Sequence, residues 1–531
     1  MPGTATSVLV VGAGPVGLLA GCELARRGAG LRIIDRLAEP TDESRAIVIH
    51  ARSLEMLDAM GIVDRFIDTG LRTTGMTMLE GGKRLAHIPF DGVDSPYPFT
   101  ITTPQTETER ILAERLGELG GAVERGVELV GLTQGPDAVE ARLRHPDGTE
   151  ETASFDRVVG ADGAHSTVRG LVGTRLEGSF TGERFILGDV EAEHALDTSS
   201  MYTYFAPQGP LLVFPMVGER TRLIAQLADA GDGPIDLHPT QEALQEIVDA
   251  RAEGIRIIRS HWLTEFEIHH AQVPAYRVGR VFLAGDAAHI HSPAGGQGMN
   301  TGMQDAFNLA WKLALAGPAG AGALLDSYDA ERRPVAATMI EFTTRLTRVG
   351  TLGNTLARHL RDTVVHAATG LAPIRGMLAD AVEEVGLAYR DSPVVADAGH
   401  RHRGRVHAGD HMPRLPDAGL DRRMRQICAG TTDHVVLTVV AAPAEPAPPD
   451  TGGLPAVHVA IASGGGDLPG YDAVIDDPGR VFPGRYGLPR AGGRIAIRPD
   501  GYIGAVTGPD GDGIAAYGWL LRATPEDGDG A

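Results

Sequence analysis

The residues able to do chemistry share one form in this 531-residue chain: an apolar run that stops on glycine and aspartate. Val281-Phe282-Leu283-Ala284 ends at Gly285-Asp286. That pattern delivers a carboxylate to the carboxyl end of a buried strand, which is where open α/β sheets bind ligands. Pro293, Gly295, Gly296 and Gly298 follow, and Met303 to Leu315 has the apolar spacing of a helix. Backbone amides near Gly298, Met299 and Asn300 can face an anionic group, and the helix dipole adds favourable potential there. Asp286 can hold a sugar hydroxyl. An ordinary strand, loop and helix would carry the same pattern.

A second such corner lies at the start. Val8-Leu9-Val10-Val11 runs into Gly12-Ala13-Gly14-Pro15-Val16-Gly17, then into a helix pattern with Leu18, Leu19, Cys22 and Leu24, and then into Leu31-Arg32-Ile33-Ile34 closed by Asp35. Strand, glycines, helix, strand and acid in register point to an adenine dinucleotide. Gly12 makes the turn, Gly14 admits the pyrophosphate, Gly17 permits close helix packing and Asp35 accepts ribose hydroxyls. Asp35 would repel a 2′-phosphate, so NADP fits poorly at this corner. The third corner is Arg157-Val158-Val159-Gly160-Ala161-Asp162-Gly163, followed by Ser166 and Arg169. A turn held by hydrogen bonds explains it fully, and Asp162 can be structural. Arg45 fits a pyrophosphate clamp or a solvated turn. Gln105, just ahead of a helix pattern from Glu107 to Gly117, is a candidate cofactor donor or a surface residue.

Composition bounds the rest. A formal net charge of -21 gives no electrostatic footprint for nucleic acid and disfavours anionic membranes. Only Cys22 and Cys428 occur, which leaves no disulfide framework, cysteine zinc site or CxxC pair. The histidines, His261, His269 and His270 among them, lack metal-ligand spacing, so no metal is expected. With no apolar run long enough to span a bilayer, a cytoplasmic enzyme or binding protein is the natural reading.

These corners need a parallel sheet to position them, and the texture between them changes. From Glu183 to Val278 successive runs, Phe185-Ile186-Leu187, Met201 to Phe205, Leu211 to Phe214 and Arg222 to Gln226, predict an inserted antiparallel sheet. Tyr202, Tyr204, Phe205, Phe214 and Trp262 would suit a pocket wall for a planar apolar substrate, although most such residues are core. Ser327 to Val349 and Leu352 to Thr369 have helical spacing, with Pro334 placed early in the first. A shift to Arg, His and Gly near Asp391 to Asp410 suggests a boundary. Beyond it His434 to Val440, Val457 to Ile461 and Arg494 to Ile497 read as strands, separated by a Pro-rich stretch from Ala442 to Pro455.

GAGPVG at Gly12 to Gly17, DGAHSTVR at Asp162 to Arg169 and GDAAHIHSPAGGQGMN at Gly285 to Asn300 together resemble the FAD-dependent aromatic hydroxylases. These are the group A flavoprotein monooxygenases, which include para-hydroxybenzoate and phenol hydroxylases; the likeness covers about residues 5 to 350. It implies an α/β architecture with a Rossmann-like FAD-binding domain of the glutathione-reductase type, residues 1–75, 104–180 and 279–395 with a helical extension. An antiparallel-sheet substrate domain, 76–103 and 181–278, is interleaved with it. Tyr389-Arg390-Asp391-Ser392 and Arg498-Pro499-Asp500-Gly501-Tyr502 look like the polyketide-hydroxylase branch, whose C-terminal domain, here 396–531, is thioredoxin-like; without a CxxC it should have no dithiol role.

By the same resemblance Gly12, Gly14, Pro15, Val16 and Gly17 surround the FAD pyrophosphate, Asp35 and Arg36 the adenosine end, and Arg45 and Gln105 contact FAD. Asp286 binds the ribityl chain, Gly298, Met299 and Asn300 lie beside the isoalloxazine, and Asp162 and Arg169 belong to a fingerprint associated with FAD and NAD(P)H. The implied reaction is hydroxylation of a phenolic or polycyclic polyketide substrate through a flavin C4a-hydroperoxide, consuming NADPH or NADH and O2, in a monomer or homodimer without nucleic acid or membrane partners. Catalytic acids and bases are not legible. Baeyer–Villiger oxygenation or epoxidation on the same scaffold, and a non-catalytic FAD-binding protein, are the alternatives.

Overall fold

The computed structural model describes residues 7–227, 238–290, 296–318, 320, 322–350, 371–397, 406–440, 447–464, 466–489, 492–509 and 512–522. Pro293 and Gly295, the pattern from Leu352 to Thr369 and the middle of the boundary stretch near Asp391 to Asp410, residues 398–405, lie outside these residues.

A six-stranded sheet carries the three corners. Its order is Arg277–Val278, Val281–Leu283, Arg157–Gly160, Ser7–Val11, Gly30–Asp35, Val123–Arg125, all parallel apart from the first strand. Val8, Leu9, Val10, Val158, Val159, Val281, Phe282 and Leu283 are all buried, as expected of parallel strands covered on both faces. Register then decides the site: Val11 pairs with Gly160, and Gly160 pairs with Leu283. Three corners distant in sequence therefore end in one row at the carboxyl edge of the sheet. The helices Pro15–Arg26 and Gly298–Ala316 pack against each other above that edge.

The second layer is an eight-stranded sheet, His289–Ile290, Arg256–Gln272, Glu177–Glu193, Arg220–Gln226, Leu211–Pro215, Ser200–Phe205, Gly75–Glu80, Lys83–Pro89. It is antiparallel except where Ser200–Phe205 runs parallel to Gly75–Glu80. The pleat sorts the aromatic candidates onto two faces. Tyr202 and Tyr204 pack with Val213, Leu223, Leu244 and Val248 under the helix Gln241–Asp249. Phe214 packs on the other face, with Phe185, Ile47 and Val48 and with Trp262 and Phe266 against them. Tyr202 and Tyr204 therefore belong to the far core and not to a wall facing the three corners. Tyr202 pairs with Val213 on the neighbouring strand, so Phe214, the next residue there, falls on the opposite face.

A mixed six-stranded sheet forms the C-terminal layer, in the order Ala396–Asp397, Ile503–Thr507, Gly493–Ile497, His434–Val439, Ala456–Ala462, Ala473–Asp476. Two three-stranded sheets complete the described residues, one of them joining Val48–Ile49, Thr100–Thr102 and Leu71–Thr73. Pro334 does not mark a helix start. The helix Gly322–Gly350 runs through it, although proline inside a helix costs about 3 kcal/mol. Long-range bonds on the preceding turn explain the continuity. Glu331 and Arg332 are fixed in the buried interior by Lys312, Arg498 and Asp305, and tertiary bonding outweighs local preference.

Candidate functional site

The glycine corner is built from close approaches. Gly12 has φ +101, and a β-carbon there would lie 2.4 Å from the carbonyl oxygen of Ala161. One at Gly17 would lie 1.9 Å from the oxygen of Gly12. At Gly14, by contrast, a β-carbon meets nothing within 4 Å. Gly14 is the N-cap of Pro15–Arg26, which has neither a side-chain cap nor an acidic residue in its first turn. The first N–H groups of a helix have no internal partner, so here they face open space with positive potential. Asp35 closes the corner: its carboxylate accepts from the amides of Ala13 at 2.7 Å and Leu37 at 2.8 Å. Arg36 is exposed beside it.

The Asp286 corner adjoins directly. A β-carbon on Gly285 would come within 2.9 Å of Val16, and one on Gly302 within 2.8 Å of the same side chain. The GAGPVG turn, the GDAA turn and the start of Gly298–Ala316 thus touch, and only glycine permits it. The side chain of Asp286 accepts no hydrogen bond from the described residues and is accessible to solvent, yet protein surrounds it. Desolvation pushes its carboxyl above the ordinary range, against the pull of His289, Arg45 and Arg169. Exposed beside the two helix starts, with open space at Gly14, the carboxylate borders a cleft. Arg45 lies exposed, paired with Glu43 at 2.9 Å, and its carbonyl accepts from the buried Arg222 at 2.9 Å. Arg222 is itself held by Asp189 at 2.6 Å, so the large sheet positions this loop.

Gly298–Ala316 starts five residues earlier than its apolar spacing suggests, which makes Gly298, Met299 and Asn300 its first turn. It too lacks a side-chain cap and a first-turn acid. Asn300 is fully engaged: Oδ1 accepts from His50 N at 3.0 Å, and Nδ2 donates to the carbonyls of Val48 at 2.8 Å and Gly296 at 2.9 Å. Its backbone amide and the half-buried Met299 are what it offers a ligand. Gln105 is engaged as well. Its Oε1 accepts from Ala46 N at 3.1 Å and its Nε2 donates to Glu109 at 2.9 Å.

Asp162 has a structural task in this fold. It accepts from the Ser166 hydroxyl at 2.5 Å and from the amides of Thr167 at 2.7 Å and Val168 at 3.0 Å, which caps Thr167–Leu171. Arg169 donates to the carbonyls of Ala287 at 3.1 Å and Ala164 at 2.6 Å, tying the Asp162 corner to the Asp286 corner.

Behind the cleft lies a layer that motif reading does not reach. Asp305 accepts from Gly285 N at 3.1 Å and from Arg332 Nε at 2.7 Å, and lies 2.8 Å from His289 Nε2. Burial alone would raise its carboxyl; Arg332 and then His289 outweigh that and hold it below the ordinary range. Glu383 accepts from Ala51 N at 2.7 Å and the Thr100 hydroxyl at 2.5 Å. Glu384, at φ 56, is bonded to Gln304 and Thr301, and burial pushes its carboxyl up to about 7. One signal for part of this layer is present in the sequence: Asp305, Asn308 and Lys312 put a polar stripe along one side of an otherwise apolar helix.

Uncapped helix ends, the space at Gly14 and the unbonded Asp286 fit a dinucleotide flavin, and comparison with known proteins agrees. Residues 5–343 match the family described as FAD binding domain. The chain is 33% identical to 6-methylpretetramide 4-monooxygenase of Streptomyces rimosus, over 94% of this chain and 90% of that one. It is 31% identical to a flavin-dependent monooxygenase of Mycobacteroides abscessus, over 94% and 97%. Its structure superposes on the anhydrotetracycline hydroxylase of Streptomyces rimosus with a TM-score of 0.72 at 28% identity, covering 98% of this chain and all of the other. The chain therefore belongs to the FAD binding domain family and is a flavin-dependent monooxygenase.

Proposed function

We propose that the cleft holds FAD along the row of strand ends and hydroxylates a planar aromatic substrate, of the polycyclic polyketide class in preference to a simple phenol. In this reading the amides of Gly14, Val16 and Gly17 bind the pyrophosphate at the turn that Gly12 makes, with Pro15 shaping it. Asp35 accepts the adenosine ribose hydroxyls, and Arg36 lies at that end. Arg45 stands at the rim, held by Gln105 through Ala46. Asp286 accepts the ribityl hydroxyls. The first-turn amides of Gly298, Met299 and Asn300 stabilise negative charge on the pyrimidine edge of the ring. Asp162 and Arg169 brace the turn against Asp286 without touching the cofactor.

The chemistry FAD supplies when bound is acceptance of a hydride from NADPH, or NADH, and activation of O2. The protein supplies place and dryness. The sheet face bearing Phe185, Phe214, Trp262 and Phe266 packs against Ile47 and Val48 beside the helix start, and an apolar wall there excludes water from the reacting atoms. The names of the relatives, which act on tetracycline-type polycycles, support the preference for a fused-ring substrate.

The observation that carries the reading is Asp286: an accessible carboxylate without a hydrogen-bond donor among the described residues, set between two uncapped helix ends. The mixed C-terminal sheet, with Ala418–Ala429, Val481–Tyr486 and Gly513–Arg522 packed on it, supports a thioredoxin-like domain from about residue 396. Its Cys428 thiol, pushed up to about 12 by burial, is unsuited to redox exchange. No helix among the described residues is long and apolar enough to cross a membrane; a cytoplasmic monomer or homodimer completes the proposal. The test is NADPH oxidation by the FAD-loaded enzyme with phenols and with polycyclic hydroxyquinones. Stimulation by the polycycles, with one atom of labelled O2 in a ring hydroxyl, is the expected result. Lactone products, or oxidation indifferent to every aromatic, would overturn it.

A further inference from the structure

On the side of the six-stranded sheet opposite the flavin cleft, three arginines line one pocket. Arg157 opens the strand Arg157–Gly160 at its amino end, about 10 Å along the strand from the Gly160 that reaches the cleft edge. Arg277 and Arg280 flank the turn between Arg277–Val278 and Val281–Leu283. The pocket holds about 680 Å³ of non-protein space, part of it open to solvent. It lies between this turn, the hairpin turn after Glu128–Gln134 and the start of the helix Gly322–Gly350.

Its charge is one-sided. Every charged side chain on the described lining is an arginine. Arg277 is paired with Asp326 at 2.7 Å, and that carboxylate is largely exposed. Arg157 and Arg280 have no carboxylate partner among the described residues. Arg157 donates to the carbonyls of Asp156 at 2.7 Å and Pro318 at 3.4 Å, and Arg280 to those of Pro136 at 2.9 Å and Asp156 at 3.4 Å. The Asp156 carboxylate accepts from Ser7 N at 2.7 Å, and Asp137, next to Pro136, is exposed and off the lining. Arg157 is only 3% exposed, a depth at which a guanidinium is ordinarily matched by a carboxylate. Here it meets two more cations instead. Burial, and then the charges of Arg280 and Arg277, hold it down at about 10 against the pull of Asp156. Such a cluster, on a chain of net charge -21, repels itself until an anion enters.

Open donors stand on the same walls. Arg277 bonds through Nε and Nη1, which leaves Nη2 without an acceptor among the described residues. Gln134, exposed on the lining, accepts through Oε1 from Arg280 N at 2.8 Å. That bond fixes which way its amide points and leaves Nε2 as an unmatched donor. Two glycines let backbone lie close to these groups: a β-carbon on Gly320 would come within 2.4 Å of Arg157 Nη2, and one on Gly279 within 2.5 Å of Gln134 Oε1. The helix Gly322–Gly350 has no acid in its first turn, so its dipole adds to the positive potential. Several guanidinium donors and an amide suit an oxyanion that accepts on more than one oxygen. Apart from Pro136 no apolar side chain lines the pocket. Nothing there stacks on an adenine or nicotinamide ring, and the occupant is recognised by charge.

We propose that this pocket is a second ligand site, separate from the flavin cleft, for a phosphate group, either inorganic phosphate or the phosphoryl end of a small monoester, held by Arg157, Arg277, Arg280 and Gln134. The test titrates FAD-loaded enzyme, whose pyrophosphate seat is filled, with inorganic phosphate and with glycerol 3-phosphate, by calorimetry near neutral pH at an ionic strength fixed with chloride. The expected result is one saturable site per chain, weakened at least about tenfold in Arg280→Gln at unchanged flavin content. Equal affinity for the two probes supports the site with the free ion as its occupant, and tighter binding of glycerol 3-phosphate supports it with a monoester. No saturable binding of either probe by about 10 mM, or binding that Arg280→Gln leaves unchanged, overturns the proposal. Should Arg280→Gln not fold, tungstate soaked into crystals of the unmodified enzyme decides the matter: anomalous scattering among Arg157, Arg277 and Arg280 supports the site, and none there overturns it. Either outcome leaves the substrate assay, and so the function proposed above, untouched.

Discussion

Asp286 and Asp305 lie on adjoining elements, yet their surroundings are opposite. Asp305 is wholly buried, accepts from Gly285 N and Arg332 and lies against His289, and is held below its ordinary range. Asp286 is accessible, lacks a donor among the described residues and is pushed up by desolvation. A protein that satisfies one carboxylate three times over and leaves its neighbour unsatisfied has separated two tasks. Asp305 sets the backbone of the turn; Asp286 is the carboxylate we propose takes the ribityl hydroxyls. The same division runs along Gly298–Ala316, whose first turn is uncapped while Lys312, further along, is locked to Glu331 at 2.7 Å.

Breaking the buried side of this comparison should have the larger effect. Asp305→Asn leaves Arg332 uncompensated in the interior and is expected to cost about 3–5 kcal/mol, read as a fall in the denaturation midpoint of the apoprotein. Glu384→Gln sharpens the same point through pH. Because the folded carboxyl is raised from 4.5 to about 7, the native state keeps a proton that the unfolded chain releases, and stability falls as pH rises through that window. The loss corresponds to about 3 kcal/mol above pH 7. Glu384→Gln, which imitates the protonated form, should flatten the dependence between pH 5 and pH 8 and melt higher than the parent at pH 8.

On the open side the expectation reverses. Asp286→Ala should weaken FAD binding by about tenfold to a hundredfold, the scale of one or two charge-assisted hydrogen bonds, and leave the apoprotein as stable as before or more so. A drop in apoprotein stability comparable to that of Asp305→Asn would erase the distinction. The smallest effect belongs to the two sheet faces. Trp262→Ala should raise the KM for the aromatic substrate severalfold, whereas Tyr202→Phe on the far face should leave KM unchanged within about twofold, in steady-state assays.

The open side was legible in the sequence, whereas the buried side showed only in the polar stripe of Asp305, Asn308 and Lys312. Glycines at Gly12, Gly14 and Gly17 and acids at Asp35 and Asp286 follow apolar strands at fixed short offsets, so local pattern alone exposes the corners and the parallel sheet beneath them. Asp162 illustrates the limit of that reading: the same pattern serves a helix cap. The buried pairs join residues far apart in the chain, Glu331 with Arg498 and Gln304 with Glu384, and no short window contains both partners. Tyr202 and Phe214 were visible as aromatic strand residues, but their faces depend on which side of the sheet meets the rest of the molecule. Pro334 shows the converse, a strong local signal overridden by bonds made at Glu331 and Arg332.

The central claim is that three strand-end corners form one flavin cradle. Determination of the structure with FAD bound tests it most directly. The account predicts pyrophosphate oxygens on the amides of Gly14 and Val16, a ribityl hydroxyl on Asp286, and the isoalloxazine beside Met299 at the start of Gly298–Ala316. A flavin seated elsewhere, or one that leaves Asp286 without a partner, would contradict it.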